Sequence, residues 1–266
     1  WRTVAGAATG FCVAWIAWQL VHPSLGFDSA VYHYPEIAGW IANGRPGSIL
    51  ELSYDIPYGN YPLTDEVAQT WGAAIARSWV PIALWNPTLL IVLAVALWQL
   101  LRDLRVARAG AALGVGTVVT LPLLVRQLNE PQTDLPALAW LACVAALALG
   151  AGRRPGLLVP ALVAAGLAIG TKTTAAPLAL AALATGLLLA RGKLRPLAGP
   201  LALATAAAVA VGGLWYARNV WQHGWPLWPF TEAPWGDPRP PFLALIETTF
   251  LDRPIATLDG QLDDYA

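Results

Sequence analysis

The chain is 266 residues long, 57 % hydrophobic and 12 % charged, with a mean hydropathy of +0.54 and a formal net charge of zero. A soluble domain carries about 25 % charged residues, so this composition excludes an ordinary soluble protein and points to a membrane protein with several spans. A neutral chain has no global field to recruit nucleic acid, and no nucleic-acid partner is expected.

The two cysteines, Cys12 and Cys143, lie inside apolar runs with no CxxC or His/Cys cluster nearby, and read as small buried residues. The absence of any methionine and the cut-off look of both ends lead to the expectation of a fragment of a longer protein.

A hydrocarbon core about 30 Å thick needs roughly 20 helical residues. Apolar runs at 4–21, 79–101, 109–128, 135–150, 157–170, 175–190 and 200–216 give an all-α expectation of about seven spans. From Trp221 the sequence turns polar and rich in Pro and Trp, which reads as too broken to span. The expected division is a transmembrane module over 1–220, its first loop at 23–78, and a truncated loop over 221–266.

Lysine and arginine concentrate in cytoplasmic loops. Arg2, the group Arg102, Arg105 and Arg108, the pair Arg153 and Arg154, and the group Arg191, Lys193 and Arg195 would share one side of a seven-span chain. The acidic residues fall on the other side, with Asp103 the exception. The acidic loops are therefore expected outside the cytoplasm.

The first acidic loop holds Asp28, Glu36, Glu51, Asp55 and Asp65 against a single cation, Arg45. Within it, 30–43 carries Val31, Tyr34, Ile37, Trp40 and Ile41 at helical spacing and ends at Asn43-Gly44, which predicts an amphipathic helix along the membrane surface. Thr64, followed by Asp65 and Glu66, predicts the N-cap of a second surface helix running to Ala76. Asp55 and Asp65 read as turn and helix-start residues.

Asp28, close to the end of the first span and beside Tyr32 and His33, could act as a general base or cap the surface helix. His33 could bond Asp28 or sit in an interfacial belt. The loop at 129–134 supplies Glu130 and Asp134, which with Asp28 could bind a divalent cation through oxygen; alternatively Asp134 caps the fourth span. Lys172 and Arg218 stand on the side that the basic loops avoid. They could bind an anionic phosphate or snorkel to headgroups, with Arg126 a third phosphate partner. The aromatic run at 221–230 fits interfacial anchoring or stacking on a sugar.

These motifs occur in order as FDSAVYHYPEI (27–37), YPLTDE (61–66), NEPQTD (129–134), GLAIGTKTTA (166–175) and WYARNVWQHGWPLWPF (215–230). Their order and placement resemble the GT-C superfamily of polyprenyl-phosphate-dependent glycosyltransferases, in particular the family-39-like protein mannosyltransferases and aminoarabinose transferases. The resemblance covers nearly the whole chain.

It implies an inverting transfer, at the outer face of a bacterial plasma membrane, from a polyprenyl-phosphate-linked sugar to a lipid, glycan or protein acceptor. Asp28 would be the base, and Tyr32 and His33 would contact substrate. Asp134 with Glu130 would match a second acidic motif tied to a metal in some members. Lys172, Arg218 and Arg126 would lie near the donor phosphate. Many relatives carry an Asp-Glu pair where this chain has Asp28-Ser29. A transporter or a non-catalytic scaffold is the competing reading; the charged residues at span ends, with no inverted repeat, argue against transport.

Overall fold

The structure, a computed structural model, describes residues 2–21, 25–53, 56–241 and 243. Among them the regular structure is entirely helical. Helix α1 is Arg2–Val21. A π-helical turn, Ser29–His33, leads into α2, Tyr34–Asn43, which stops at Gly44 with φ 70°; glycine adopts that left-handed geometry without a Cβ penalty. Helices α3 (Thr64–Ala76), α4 (Val80–Asp103), α5 (Arg108–Val119) and the single turn α6 (Pro122–Val125) follow. Then come α7 (Asp134–Gly150), α8 (Leu158–Thr171), α9 (Ala176–Ala190) and α10 (Ala198–Ala208). The last runs through a π-helical turn, Val209–Gly213, into α11, Leu214–His223.

Among the described residues three stretches are long and apolar enough to cross a membrane: Val80–Asp103, Thr173–Ala190 and Arg195–His223. Helices α5, α7 and α8 are apolar but shorter, at 12, 17 and 14 residues. The expected run at 109–128 does not form one helix. Leu121 is extended (φ −59°, ψ 129°) ahead of Pro122, because the proline ring disfavours the helical region for its predecessor. The last long helix does the opposite: it continues past Tyr216 to His223 and ends at Gly224 with φ 74°. Only 11 % of the apolar window in Arg195–His223 is buried, so most of that stretch offers apolar side chains outward, as a lipid-facing surface does.

The core lies between α4 and α7. Leu89, Leu90 and Leu93 pack with Leu124, Val125, Leu128, Leu135 and Ala139. Asn86, fully buried on α4, aims its amide at three carbonyls: Gln127 (2.8 Å), Glu130 (2.8 Å) and Gln132 (3.0 Å). One amide in the helix thus fixes the loop that carries Glu130.

Helices α8 and α10 meet backbone to backbone. A Cβ on Gly166 would stand 2.5 Å from Ala208 Cα, and one on Gly170 would stand 2.7 Å from Gly212 Cα. Small residues four apart let helices approach this closely.

The two ends of the bundle differ in chemistry. At one end Asp103 pairs with Arg153, and Lys193 donates to the Gly152 carbonyl at 3.2 Å, which gathers three basic connections. The charge exception of the sequence therefore has a basic partner. At the other end the first loop, the 127–134 loop, the α8–α9 turn and the α11 terminus form a polar crown.

Candidate functional site

The crown begins with a substitution of roles. Asp28 is already helical (φ −60°, ψ −39°), exposed, and makes no capping bond. Glu130 satisfies that helix start from across the fold: its Oε2 accepts from Gly26 N at 2.7 Å and Ser29 Oγ at 2.6 Å. Gln132 Nε2 adds a bond to Ser29 Oγ at 3.1 Å. The capping alternative for Asp28 is corrected by this geometry, and its carboxylate is not committed to holding the backbone.

Beside Asp28 the tyrosines cluster. Tyr32 stacks on Tyr58 with ring centroids 4.5 Å apart and planes 7° from parallel, while Tyr61 meets Tyr32 edge-on at 6.1 Å. Tyr61 also touches Phe230, at 4.7 Å, which brings the tail aromatics to the same spot. Burial pushes the Tyr32 phenol far up, and the negative charges of Asp28, Glu66 and Asp134 add to it. The Tyr58 and Tyr61 phenols are raised by burial and also by Asp28. Carboxylates from three elements thus add to the effect of burial on the one phenol.

Asp134 occupies the first turn of α7, with Thr133 rather than itself as the N-cap. It pairs with Lys172, the residue that ends α8. Gln127 supports the pair: Nε2 donates to Asp134 Oδ2 at 3.2 Å, and Oε1 accepts from Leu135 N at 3.0 Å, filling an orphan donor of the helix start. Tyr216 of α11 donates to the Ile169 carbonyl at 2.8 Å, and its oxygen lies 3.2 Å from the Thr173 hydroxyl, which can donate to it; together these fix the turn on either side of Lys172. Arg126 is exposed at the end of α6, next to Gln127.

A buried layer lies behind this surface. His33, 1 % exposed, bonds through Nδ1 to Glu66 Oε1 at 2.7 Å. It therefore partners neither Asp28 nor an interfacial belt, and the expectation for it is corrected. Glu36 is fully buried, and both its oxygens lack partners. Burial, then the charge of Glu66, drives its carboxyl up to about 8 against the pull of Arg218. Arg218 lies 5.0 Å over the Trp215 ring, with Nε and both terminal nitrogens buried and unbonded.

Asp65 is buried between Trp85 Nε1 (2.8 Å) and Gln69 Nε2 (2.7 Å). Burial and Glu66 raise its carboxyl to about 8, while those two bonds oppose the rise. Thr64 does not cap α3; Leu63 occupies that place. The Thr64 hydroxyl instead donates to the Val211 carbonyl and accepts from Trp215 Nε1 at 2.7 Å, joining α3 to the last long helix.

The sequence placed Glu36 in the acidic loop and Glu66 at a helix start without a role in the site, and Gln127 went unremarked. His33 and Glu36 are three apart on one helical face, which was the available signal. Of the tail aromatics, Trp228 is buried and stacks on His223 at 3.5 Å, whereas Trp221 is 91 % exposed; Trp221 is free for an interface and Trp228 is structural. Asp55 lies outside the described residues.

Both residues expected to hold a metal have protein partners here. Glu130 Oε2 is bonded to Gly26 and Ser29, and Asp134 already faces an ammonium. Among the described residues no group of three His, Cys, Asp or Glu side chains could hold a metal ion.

Fold and crown together define an all-helical protein with helices of membrane-crossing length and an acidic, aromatic polar end. The chain belongs to the family described as a domain of unknown function, DUF8201, which matches residues 73–237. That stretch contains Asp134, Lys172 and Arg218, while Asp28 precedes it. No curated protein and no solved structure matches the chain.

Proposed function

We propose that the protein is an integral membrane glycosyltransferase that moves a sugar from a polyprenyl-phosphate donor to an acceptor hydroxyl on the extracytoplasmic side. The observation that carries this reading is that the 127–134 loop ties the Asp28 helix start, through the bonds of Glu130 to Gly26 and Ser29, to the Asp134–Lys172 pair, while the Asp28 carboxylate itself makes no capping bond. The finer topology we infer has seven spans, with α5, α7 and α8 crossing as short helices within the bundle. The positive-inside rule then puts the basic end in the cytoplasm of a bacterial cell and the crown outside.

In this reaction Asp28 accepts the proton of the acceptor hydroxyl. The freed oxygen attacks the anomeric carbon as the bond from that carbon to the donor phosphate oxygen breaks, with inversion. The phosphate departs with the bonding electron pair, and Lys172 and Arg218 balance its charge, the kind of fixed electrostatic stabilisation that dominates many catalysed reactions. The buried Arg218 needs acceptors for its unbonded nitrogens, and phosphate oxygens supply them. Arg126 guides the phosphate from the crown's edge. Tyr32 and His33 shape the acceptor side, His33 through its ring contact with Tyr32 at 4.0 Å.

Lipid co-purified with the protein, identified by mass spectrometry, tests the donor class. A polyprenyl phosphate or its sugar ester that is retained by the wild type and lost in Lys172→Ala, Arg218→Ala supports the reading. Equal retention by that double variant sinks the phosphate site.

A further inference from the structure

A second feature lies at the basic end, away from the crown, and rests on the membrane reading alone rather than on sugar transfer. Helices α8 and α10 both begin at this end and run side by side. Gly166 of α8 meets Ala208 at the end of α10, and Gly170 meets Gly212 in the π-helical turn beyond it, yet towards the basic end the two helices leave an open groove of 390 Å³. Val159 and Val163 on α8 face Gly199, Pro200, Leu203 and Ala207 on α10 across it. That volume is in the range of small-molecule sites, about 300–1,000 Å³, but the named walls carry no polar side chain. A hydrocarbon chain fits such walls and a polar ligand does not.

The turns that lead into the two helices supply the rest of the recognition. Arg154 directly precedes the 3₁₀ turn Pro155–Leu157 that opens α8, and Arg195 opens the turn Arg195–Leu197 that leads into α10. Both arginines are exposed. Arg153 is paired with Asp103 and Lys193 donates to the Gly152 carbonyl, whereas no ion pair or side-chain hydrogen bond engages Arg154 or Arg195 among the described residues. The two helix starts add partial positive charge in the same place.

We propose that this groove binds an anionic phospholipid of the basic-side leaflet, one acyl chain lying between α8 and α10 and the phosphate held by Arg154 and Arg195. Guanidinium groups suit that phosphate because they bond it in bidentate fashion. An anionic headgroup gains from each nearby cation, and a zwitterionic one gains far less.

Native mass spectrometry of the purified protein, titrated with dioleoylphosphatidylglycerol or dioleoylphosphatidylcholine, tests this. The wild type is expected to bind the glycerol lipid more tightly. Arg154→Gln, Arg195→Gln together should weaken it roughly 30-fold, the attraction of two surface cations for anionic lipid, and leave the choline lipid unchanged. Gly199→Phe fills the groove from a position where a Cβ meets nothing within 4 Å, so it should weaken both lipids while the unfolding temperature in lipid-free detergent stays at the wild-type value. Equal affinity of the wild type for the two lipids overturns the proposal. So does a preference that survives the double arginine variant, or wild-type binding by a folded Gly199→Phe protein.

Discussion

Lys172, the last residue before α8 gives way to the α8–α9 turn, forms an ion pair with Asp134 in the first turn of α7, with both side chains about two-fifths exposed. The two residues come from separate loops, and sequence reading assigned them to different tasks. A pair this exposed contributes about 0–1 kcal/mol to stability. Under the proposed function, the pair holds an ammonium at the crown surface that can exchange a carboxylate for a phosphate. Lys172→Ala should leave the unfolding midpoint within about 1 kcal/mol of wild type and weaken polyprenyl-phosphate binding roughly tenfold or more, the worth of a charge-assisted bond. Asp134→Asn should not weaken that binding, since it frees the ammonium. Lipid titration alongside thermal unfolding measures both.

The buried pair His33–Glu66 belongs to a different regime. Removing one member of a buried hydrogen-bonded pair costs about 1–3 kcal/mol or more because the other is left without a partner. Glu66→Ala should therefore unfold at a much lower temperature than wild type, and Glu66→Gln, which keeps an acceptor for His33, should lose less. Equal midpoints for wild type and Glu66→Ala would show that the bond is not structural.

Glu36 and Asp65 set a pH dependence. Their carboxyls sit at about 8 in the folded protein, against about 4.3 and 3.9 in an unfolded chain. The folded state thus holds these protons more tightly. Their stabilising contribution is complete below about pH 4 and is lost as pH rises through about 8. The unfolding temperature should fall between pH 5 and pH 9, and Asp65→Asn should flatten part of that fall. A variant profile parallel to wild type would contradict the assignment for Asp65.

The glycine contact of α8 with the last long helix allows a sharper test. A Cβ at Gly170 would stand 2.3 Å from Thr64 Oγ1 and 2.7 Å from the Val211 carbonyl oxygen. Gly170→Ala should destabilise by about 1–3 kcal/mol or more through overpacking, while Gly156→Ala, with nothing within 4 Å, should be near neutral. Thermal unfolding of the two variants compares them directly.

Much of the fold was legible because it follows from local rules. Gly44 and Asn43 marked the end of α2, and the apolar runs marked the long helices. The misreadings arose where side chains act at a distance. Pro122 breaks the third run through its effect on Leu121, and the polar face of α11 hid the continuation of the last helix to His223.

In the crown, the types and the side of the charged residues were legible, but their partners were not. Glu130 stabilises a helix start 104 residues away, and Thr64 bonds across the fold to Val211 rather than to its own helix. The helix-start place of Asp65 was read correctly; its burial was not, because that depends on Trp85 arriving from α4.

The central claim is that Asp28 is the base. The direct measurement is the rate of sugar transfer from a polyprenyl-phosphate donor by wild type and Asp28→Asn, with donor binding followed in parallel. We predict transfer by the wild type, a loss of about 10²-fold or more in the variant, and unchanged donor binding. Transfer by Asp28→Asn at the wild-type rate would contradict the claim.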